Sequence, residues 1–238
     1  MSEEIEFEAG TNEKMRGFLA LPEAAEQPAP ALLVIHEIIG LGDDMRSITE
    51  RFAEAGYVAL APNLYSGSGP RPLCVMRTLR TLAKREGPAL ASLESARAWL
   101  AERPEVDASR IGVAGFCMGG GFALMLAVRA PLGAAAVFYG DVPKRAEDLD
   151  GTCPVVGGFG ARDRVFGPAG ERLKGMLDEL GVDHDVVLYP EAGHSYMSHH
   201  GPILSRLGAL SPMRTGYDDE AARDSWRRML AFFNRHLG

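Results

Sequence analysis

Residues 110–128 run from one apolar stretch, Arg110–Ala114, through Gly115-Phe116-Cys117-Met118-Gly119-Gly120 into a second, Phe122–Val128. The middle is a G-x-C-x-G turn, the cysteine form of the G-x-S-x-G elbow that ends a strand and opens a helix. Small residues two before and two after the cysteine let strand and helix approach closely around a strained turn. The N–H groups after the cysteine lie at a helix N-terminus, whose partial positive charge favours an anion beside it, a thiolate or an oxyanion. The plain alternative is a buried cysteine beside a glycine-rich turn, so the rest of the chain has to decide.

A chain of 238 residues, 46% hydrophobic, is long enough for one compact α/β domain spanning 1–238. The net charge of −7 and the absence of a basic stripe argue against nucleic acid and anionic membrane as partners. The acidic N-terminus, Met1-Ser2-Glu3-Glu4-Ile5-Glu6, does not read as a secretory signal, and no apolar run approaches the ~20 residues of a membrane span. Three cysteines, Cys74, Cys117 and Cys153, lack paired spacing, which points to a reducing, cytoplasmic setting rather than a disulfide framework.

Seven strands are expected: Arg16–Leu21, Ala31–His36, Tyr57–Ala61, Ile111–Ala114, Leu132–Phe138, Val155–Phe159 and Asp185–Tyr189. Helices are expected over Met45–Ala55, Leu73–Arg85, Pro88–Arg103, the stretch after the elbow, Pro168–Leu180 and about Asp219–His236. Ala24–Pro30 and Pro62–Pro72 read as loops. Strands alternating with helices predict an α/β fold with a mostly parallel sheet and helices on both faces. Functional groups then gather at the carboxyl ends of the strands.

A thiol nucleophile needs a base, and the base needs an acceptor to fix its tautomer. Asp163 follows the Val155–Phe159 strand and His194 follows the Asp185–Tyr189 strand, which gives the order Cys117, Asp163, His194 used by α/β-hydrolases. Taken singly, Asp163 reads equally well as a helix-capping aspartate and His194 as a solvated loop residue. The loop after Ala31–His36 should supply a second oxyanion donor, the N–H of Ile38, paired with that of Met118. Glu37 in that loop is either a site carboxylate or a surface acid. Tyr139, at a strand end, is placed either in the pocket or in the core. His199 and His200 follow His194 without an acidic partner cluster, so a metal site is not favoured. No cofactor is implied.

These segments resemble the dienelactone hydrolase family of α/β-hydrolases. The resemblance is carried by His36-Glu37-Ile38-Ile39-Gly40-Leu41, by Gly56–Tyr65, by the elbow Gly115–Gly120, by Phe138-Tyr139-Gly140, by Asp163 and by Gly193-His194-Ser195. It implies the α/β-hydrolase fold and a Cys117–His194–Asp163 triad cleaving a small ester or lactone through an acyl-thioester, with carboxymethylenebutenolidase-type activity within its scope. It also implies that Glu37 contacts the resting thiol, keeps it protonated and takes its proton when substrate arrives.

Two departures stand out. Ser198 occupies the position where the dienelactone-cleaving enzymes place a substrate-binding arginine, and Arg71, Arg77 and Arg80 are the nearby candidates for a second one; of these, Arg77 and Arg80 are taken as substrate-binding candidates together with Tyr139. The stretch 198–218, with Arg206 and Arg214, reads either as a flap over the site or as a surface excursion. The expected partner is a small-molecule ester or lactone, and the expected state a monomer or small homo-oligomer. The competing readings are a non-catalytic α/β-hydrolase-like binding domain and a thiol redox sensor.

Overall fold

The computed structural model describes residues 1–8, 14–23, 28–67 and 69–238, with 202–205 as backbone only. The elements follow in the order β1 (Ser2–Glu8), β2 (Lys14–Ala20), β3 (Ala29–Ile35), α1 (Asp43–Glu54), β4 (Val58–Pro62), α2 (Arg71–Lys84), α3 (Pro88–Ala101), β5 (Val106–Phe116), α4 (Met118–Arg129), β6 (Ala134–Phe138), β7 (Val155–Gly160), α5 (Gly167–Leu180), β8 (His184–Tyr189), α6 (Pro202–Leu210) and α7 (Asp219–Leu237). A 3-10 turn covers Ala146–Leu149. The central part of the expected loop Ala24–Pro30 lies outside the described residues.

The strands form one eight-stranded sheet in the order β1-β2-β4-β3-β5-β6-β7-β8. β1, β2 and β4 pair antiparallel; from β4 to β8 every pairing is parallel. Alternate residues of β3 feed opposite cores. Leu33 and Ile35 pack with Leu93, Phe122 and Leu173 on one face, while Leu32 and Val34 pack with Ile48, Phe52 and Phe233 on the other. This two-sided burial explains why the central strands read as continuous apolar runs. It also places α1 and α7 on one face and α3, α4 and α5 on the other.

Strand order reverses between β3 and β5, which are neighbours in the sheet. At such a switch point the connections after the two strands diverge and leave a crevice at their carboxyl ends. The His36–Leu41 loop and the elbow at Cys117 flank it.

Two elements differ from expectation. β1 pairs with the whole of β2, although no strand was expected in the acidic N-terminal segment SEEIEFE. An edge strand needs only one apolar face, and here Phe7 is buried and stacks on Trp99 at 4.8 Å while the glutamates face outward. The second is α6, inside 198–218, where no helix was expected. Among the described residues, no helix is long and apolar enough to cross a membrane.

Candidate active site

Cys117 ends β5 and caps α4 with φ of +54°, a left-handed conformation that a non-glycine residue adopts only when its surroundings impose it. The neighbouring glycines supply those surroundings. A Cβ on Gly115 would overlap the carbonyl oxygen of Gly119, and one on Gly119 would overlap that of Ile35 in β3. The Cys117 N–H donates to the Phe138 carbonyl at 3.0 Å, tying the turn to β6. The sulfur is therefore held above the sheet by backbone packing on both sides.

The three residues read from the sequence as nucleophile, acid and base converge. His194 Nε2 lies 3.0 Å from Cys117 Sγ, and its Nδ1 lies 2.7 Å from Asp163 Oδ2. A carboxylate only accepts, so Nδ1 carries a proton and donates it to Asp163. The imidazole is packed edge-on by Tyr139 at 5.2 Å and covered by Phe166 at 5.1 Å. Burial disfavours the charged ring, but the hydrogen bonds with Asp163 and Cys117 outweigh it and raise the His194 pKa to about 10.

Asp163 does two jobs. Its Oδ2 takes His194, and its Oδ1 accepts the N–H groups of Val165 and Phe166 at 2.9 and 3.0 Å, ordering the turn into α5. The capping role and the triad geometry are compatible, because they use different oxygens.

The loop after β3 is fixed by contacts that the sequence reading did not assign. His36 is fully buried; its Nε2 accepts the Leu64 N–H at 3.1 Å, so its Nδ1 is the donor to the Glu37 carbonyl at 2.7 Å. Burial lowers the His36 pKa to about 4, so the ring stays neutral. The Gly40 N–H closes onto the same Glu37 carbonyl at 2.9 Å. A trans peptide points its C=O and its N–H in opposite directions, so this anchoring turns the Ile38 N–H away from His36. The Tyr65 hydroxyl donates to the Ile38 carbonyl at 2.8 Å, and Arg71 donates to the Ile39 carbonyl. His36 was visible as part of a motif. Tyr65 and Arg71 lie 27 or more positions away from the loop they hold, and no local pattern links them to it.

Glu37 differs from what the resemblance implies. The Cys117 sulfur bonds His194, whereas the Glu37 carboxyl accepts from Ser198 Oγ at 2.8 Å and lies 3.5 Å from His200 Nε2. Burial pushes its pKa up, against the pull of His200 and Ser198. Ser198, at the position expected of an arginine, is itself fully buried and lies 3.3 Å from the Tyr139 hydroxyl. Tyr139 is thus a support beneath His194 rather than a pocket wall. His199 goes elsewhere, stacking on Tyr217 at 3.8 Å. Among the described residues no cluster of three or more His, Cys, Asp or Glu side chains is arranged to hold a metal ion.

A cavity of about 380 Å³ opens over the sulfur. Ile38, Ile39 and Met118 line it from the sheet side, Leu79 and Leu82 from α2, Phe166 from the Asp163 turn, and Gly208, Ser211, Met213 and Thr215 from the 198–218 excursion. The excursion is stitched to the site: the His194 N–H donates to the Met213 carbonyl at 2.9 Å and the Gly216 N–H to the His194 carbonyl at 3.1 Å. Arg77 and Arg80 do not reach this cavity. Both are exposed on the side of α2 away from Leu79 and Leu82, where they line a separate depression with Lys84 and Pro88.

Comparison with known proteins identifies the family. The model of the dienelactone hydrolase family matches residues 15–237. A candidate carboxymethylenebutenolidase of Salmonella typhimurium is 31% identical over 94% of this chain and 84% of its own length. Among solved structures, a candidate dienelactone hydrolase from Klebsiella pneumoniae superposes with a TM-score of 0.77 at 28% identity, covering 99% of both chains. A dienelactone hydrolase-like promiscuous phosphotriesterase from metagenomic libraries does so with a TM-score of 0.84 at 25% identity, covering 100% of this chain and 99% of that one. Elbow, acid turn, histidine turn and parallel sheet all fall inside the matched region, and this chain belongs to the dienelactone hydrolase family, a hydrolase with the α/β-hydrolase fold.

Proposed function

We propose that the chain hydrolyses a small carboxylic ester or lactone by covalent catalysis at Cys117. The observation that carries this is the unbroken line from Sγ through His194 Nε2 and Nδ1 to Asp163 Oδ2, with hydrogen bonds of 3.0 and 2.7 Å. The thiol proton passes to His194, and the sulfur attacks the substrate carbonyl carbon. The N–H groups of Ile38 and Met118 receive the oxyanion. Met118 is the first residue of α4, so its N–H has no intrahelical carbonyl to meet. The C–O bond to the leaving alkoxide breaks as His194 returns the proton to that oxygen, which leaves an acyl-thioester. Water, deprotonated by His194, then attacks the thioester and releases the acid and the thiol. The buried carboxyl of Glu37 meets Ser198 and His200 rather than the sulfur, and its role is to hold those two residues against the oxyanion loop.

The test is turnover of p-nitrophenyl acetate with rapid mixing. Wild type should release one nitrophenolate per Cys117 in a burst, and Cys117→Ala should lose at least about 1,000-fold in rate with its fold retained. Undiminished turnover in Cys117→Ala removes the mechanism. An acyl probe that labels Cys117 without turning over would instead favour a binding domain.

A further inference from the structure

We infer that the cavity over Cys117 selects an uncharged acyl group, an aliphatic or aryl ester without a free carboxylate, and discriminates against carboxylate-bearing lactones and half-esters. The inference rests on the hydrolase reading above and names its substrate class. Among the described residues, no lysine or arginine lines the cavity.

The arginines around the site point away from the cavity or are bound to other groups, and Arg80 and Arg206 are exposed outside it. Arg71 is bound to the Ile39 carbonyl, and Arg85 pairs with Asp141 at 2.8 Å. Arg77 faces a separate depression beside Lys14 and Asn63. Arg214 donates to the Ala209 carbonyl at 3.1 Å and lines another depression with Arg162 and Glu191. The expected arginine position is filled by the buried Ser198, which is spent on Glu37.

The charged groups that do line the cavity are of the wrong kind for an anion. Glu37 and Asp141 are acids. The two imidazoles each face a carboxyl, His194 that of Asp163 and His200 that of Glu37. A substrate carboxylate placed among Ile38, Ile39, Leu79, Leu82, Phe166 and Met213 would give up its hydration without gaining a guanidinium or ammonium partner, a cost apolar walls do not repay. An alkyl or aryl group of the same length would instead gain burial against these walls.

The experiment uses a matched pair, p-nitrophenyl valerate and mono-p-nitrophenyl glutarate, which differ by a methyl against a carboxylate at the chain end. Wild-type kcat/KM should favour valerate by at least about 30-fold, and the ratio should persist at high salt. A second arm needs no catalysis. Cys117→Ala protein is titrated calorimetrically with the two corresponding anilides, and only the neutral one should bind. Glutarate turned over as well as valerate overturns the inference and leaves the hydrolase reading standing. Selective binding of the neutral anilide with no turnover of either ester leaves the inference standing and removes the hydrolase reading. Neither anilide binding, with neither ester cleaved, removes both.

Discussion

The two sides of the cavity are built on different principles. On the sheet side, the Cys117 elbow is held by backbone contacts so close that side chains are excluded: Gly115, Gly119 and the carbonyl of Ile35 leave no space for a Cβ. The covering side, α2 and the 198–218 excursion, presents Leu79, Leu82 and Met213; here Gly216 has open space around its missing Cβ, and Gly208 is crowded chiefly by the Thr215 side chain rather than by the sheet. The first geometry fixes where atoms react. The second sets what is held against them. Position is therefore bought with rigidity on one wall, and selectivity is left to side chains that can change on the other.

The sharpest way to break this division is at Asp163. Asp163→Asn keeps an oxygen for the N–H groups of Val165 and Phe166 but offers an amide to His194 Nδ1, which favours the wrong tautomer. We expect kcat to fall by about 10³–10⁴ with little change in melting temperature. Asp163→Ala should match that loss and also lose about 1–2 kcal/mol of stability, because the turn into α5 loses its acceptor. If the two variants are equally stable, the second job of Asp163 is absent.

The glycine contrast comes next. Gly119→Ala drives a Cβ into the Ile35 carbonyl, and separating β3 from α4 should cost about 3 kcal/mol or more and abolish turnover. Gly216→Ala, with nothing within 4 Å of its new Cβ, should change stability by less than about 0.5 kcal/mol. Equal chemical-denaturation midpoints for the two variants would erase the distinction between the walls.

His36 gives the sheet side a pH signature. Its pKa is about 4 in the fold against an ordinary 6.5, so the unfolded chain takes up the proton first as pH falls. The stability from keeping His36 neutral is fully present above pH 6.5 and is lost progressively down to about pH 4, amounting to about 3 kcal/mol. Glu37 acts in the opposite sense, since its raised pKa favours proton uptake by the folded state, and Arg71 adds to the depression at His36. Comparing wild type with His36→Gln at each pH cancels the Glu37 contribution to first order. The gap in unfolding free energy between the two proteins should narrow by that amount between pH 6.5 and 4, and a constant gap would show that His36 does not titrate in this way.

The two walls also differ in how readable they were. Parallel strands buried on both faces must be apolar throughout, and a nucleophile elbow must carry small residues at fixed offsets, so β3, β5, Cys117, Asp163 and His194 each left a local mark. β1 left little, because an edge strand with one buried phenylalanine among glutamates carries too few apolar residues to stand out. The covering wall left less. α6 has no side-chain N-cap, and the excursion's contacts to His194, after α6, run through the main chain of Met213 and Gly216, which any sequence could supply. The same holds for Tyr65 and Arg71, whose bonds to the Ile38 and Ile39 carbonyls join residues far apart in the chain to backbone atoms that carry no residue identity. The resemblance placed Glu37 on the thiol. With a serine rather than an arginine at 198, a small hydroxyl reaches the Glu37 carboxyl under the pocket and gives it a different partner.

Met213 offers the gentlest probe of the covering wall. Its carbonyl accepts the His194 N–H at 2.9 Å, while its side chain lines the cavity, so the two contributions separate by atom. Met213→Ala keeps the carbonyl and removes only apolar contact. Such contact is made equally to the bound ester and to its transition state, so its loss should raise KM and leave kcat unchanged. Removing part of one partly buried side chain from a neutral acyl chain corresponds to about 3- to 10-fold in KM for p-nitrophenyl valerate. Little change is expected for p-nitrophenyl acetate, whose acyl group is too short to use that wall. A fall in kcat for both esters would mean that the excursion positions His194 through its side chains as well as its backbone, and the assignment of geometry to one wall and selectivity to the other would have to be given up.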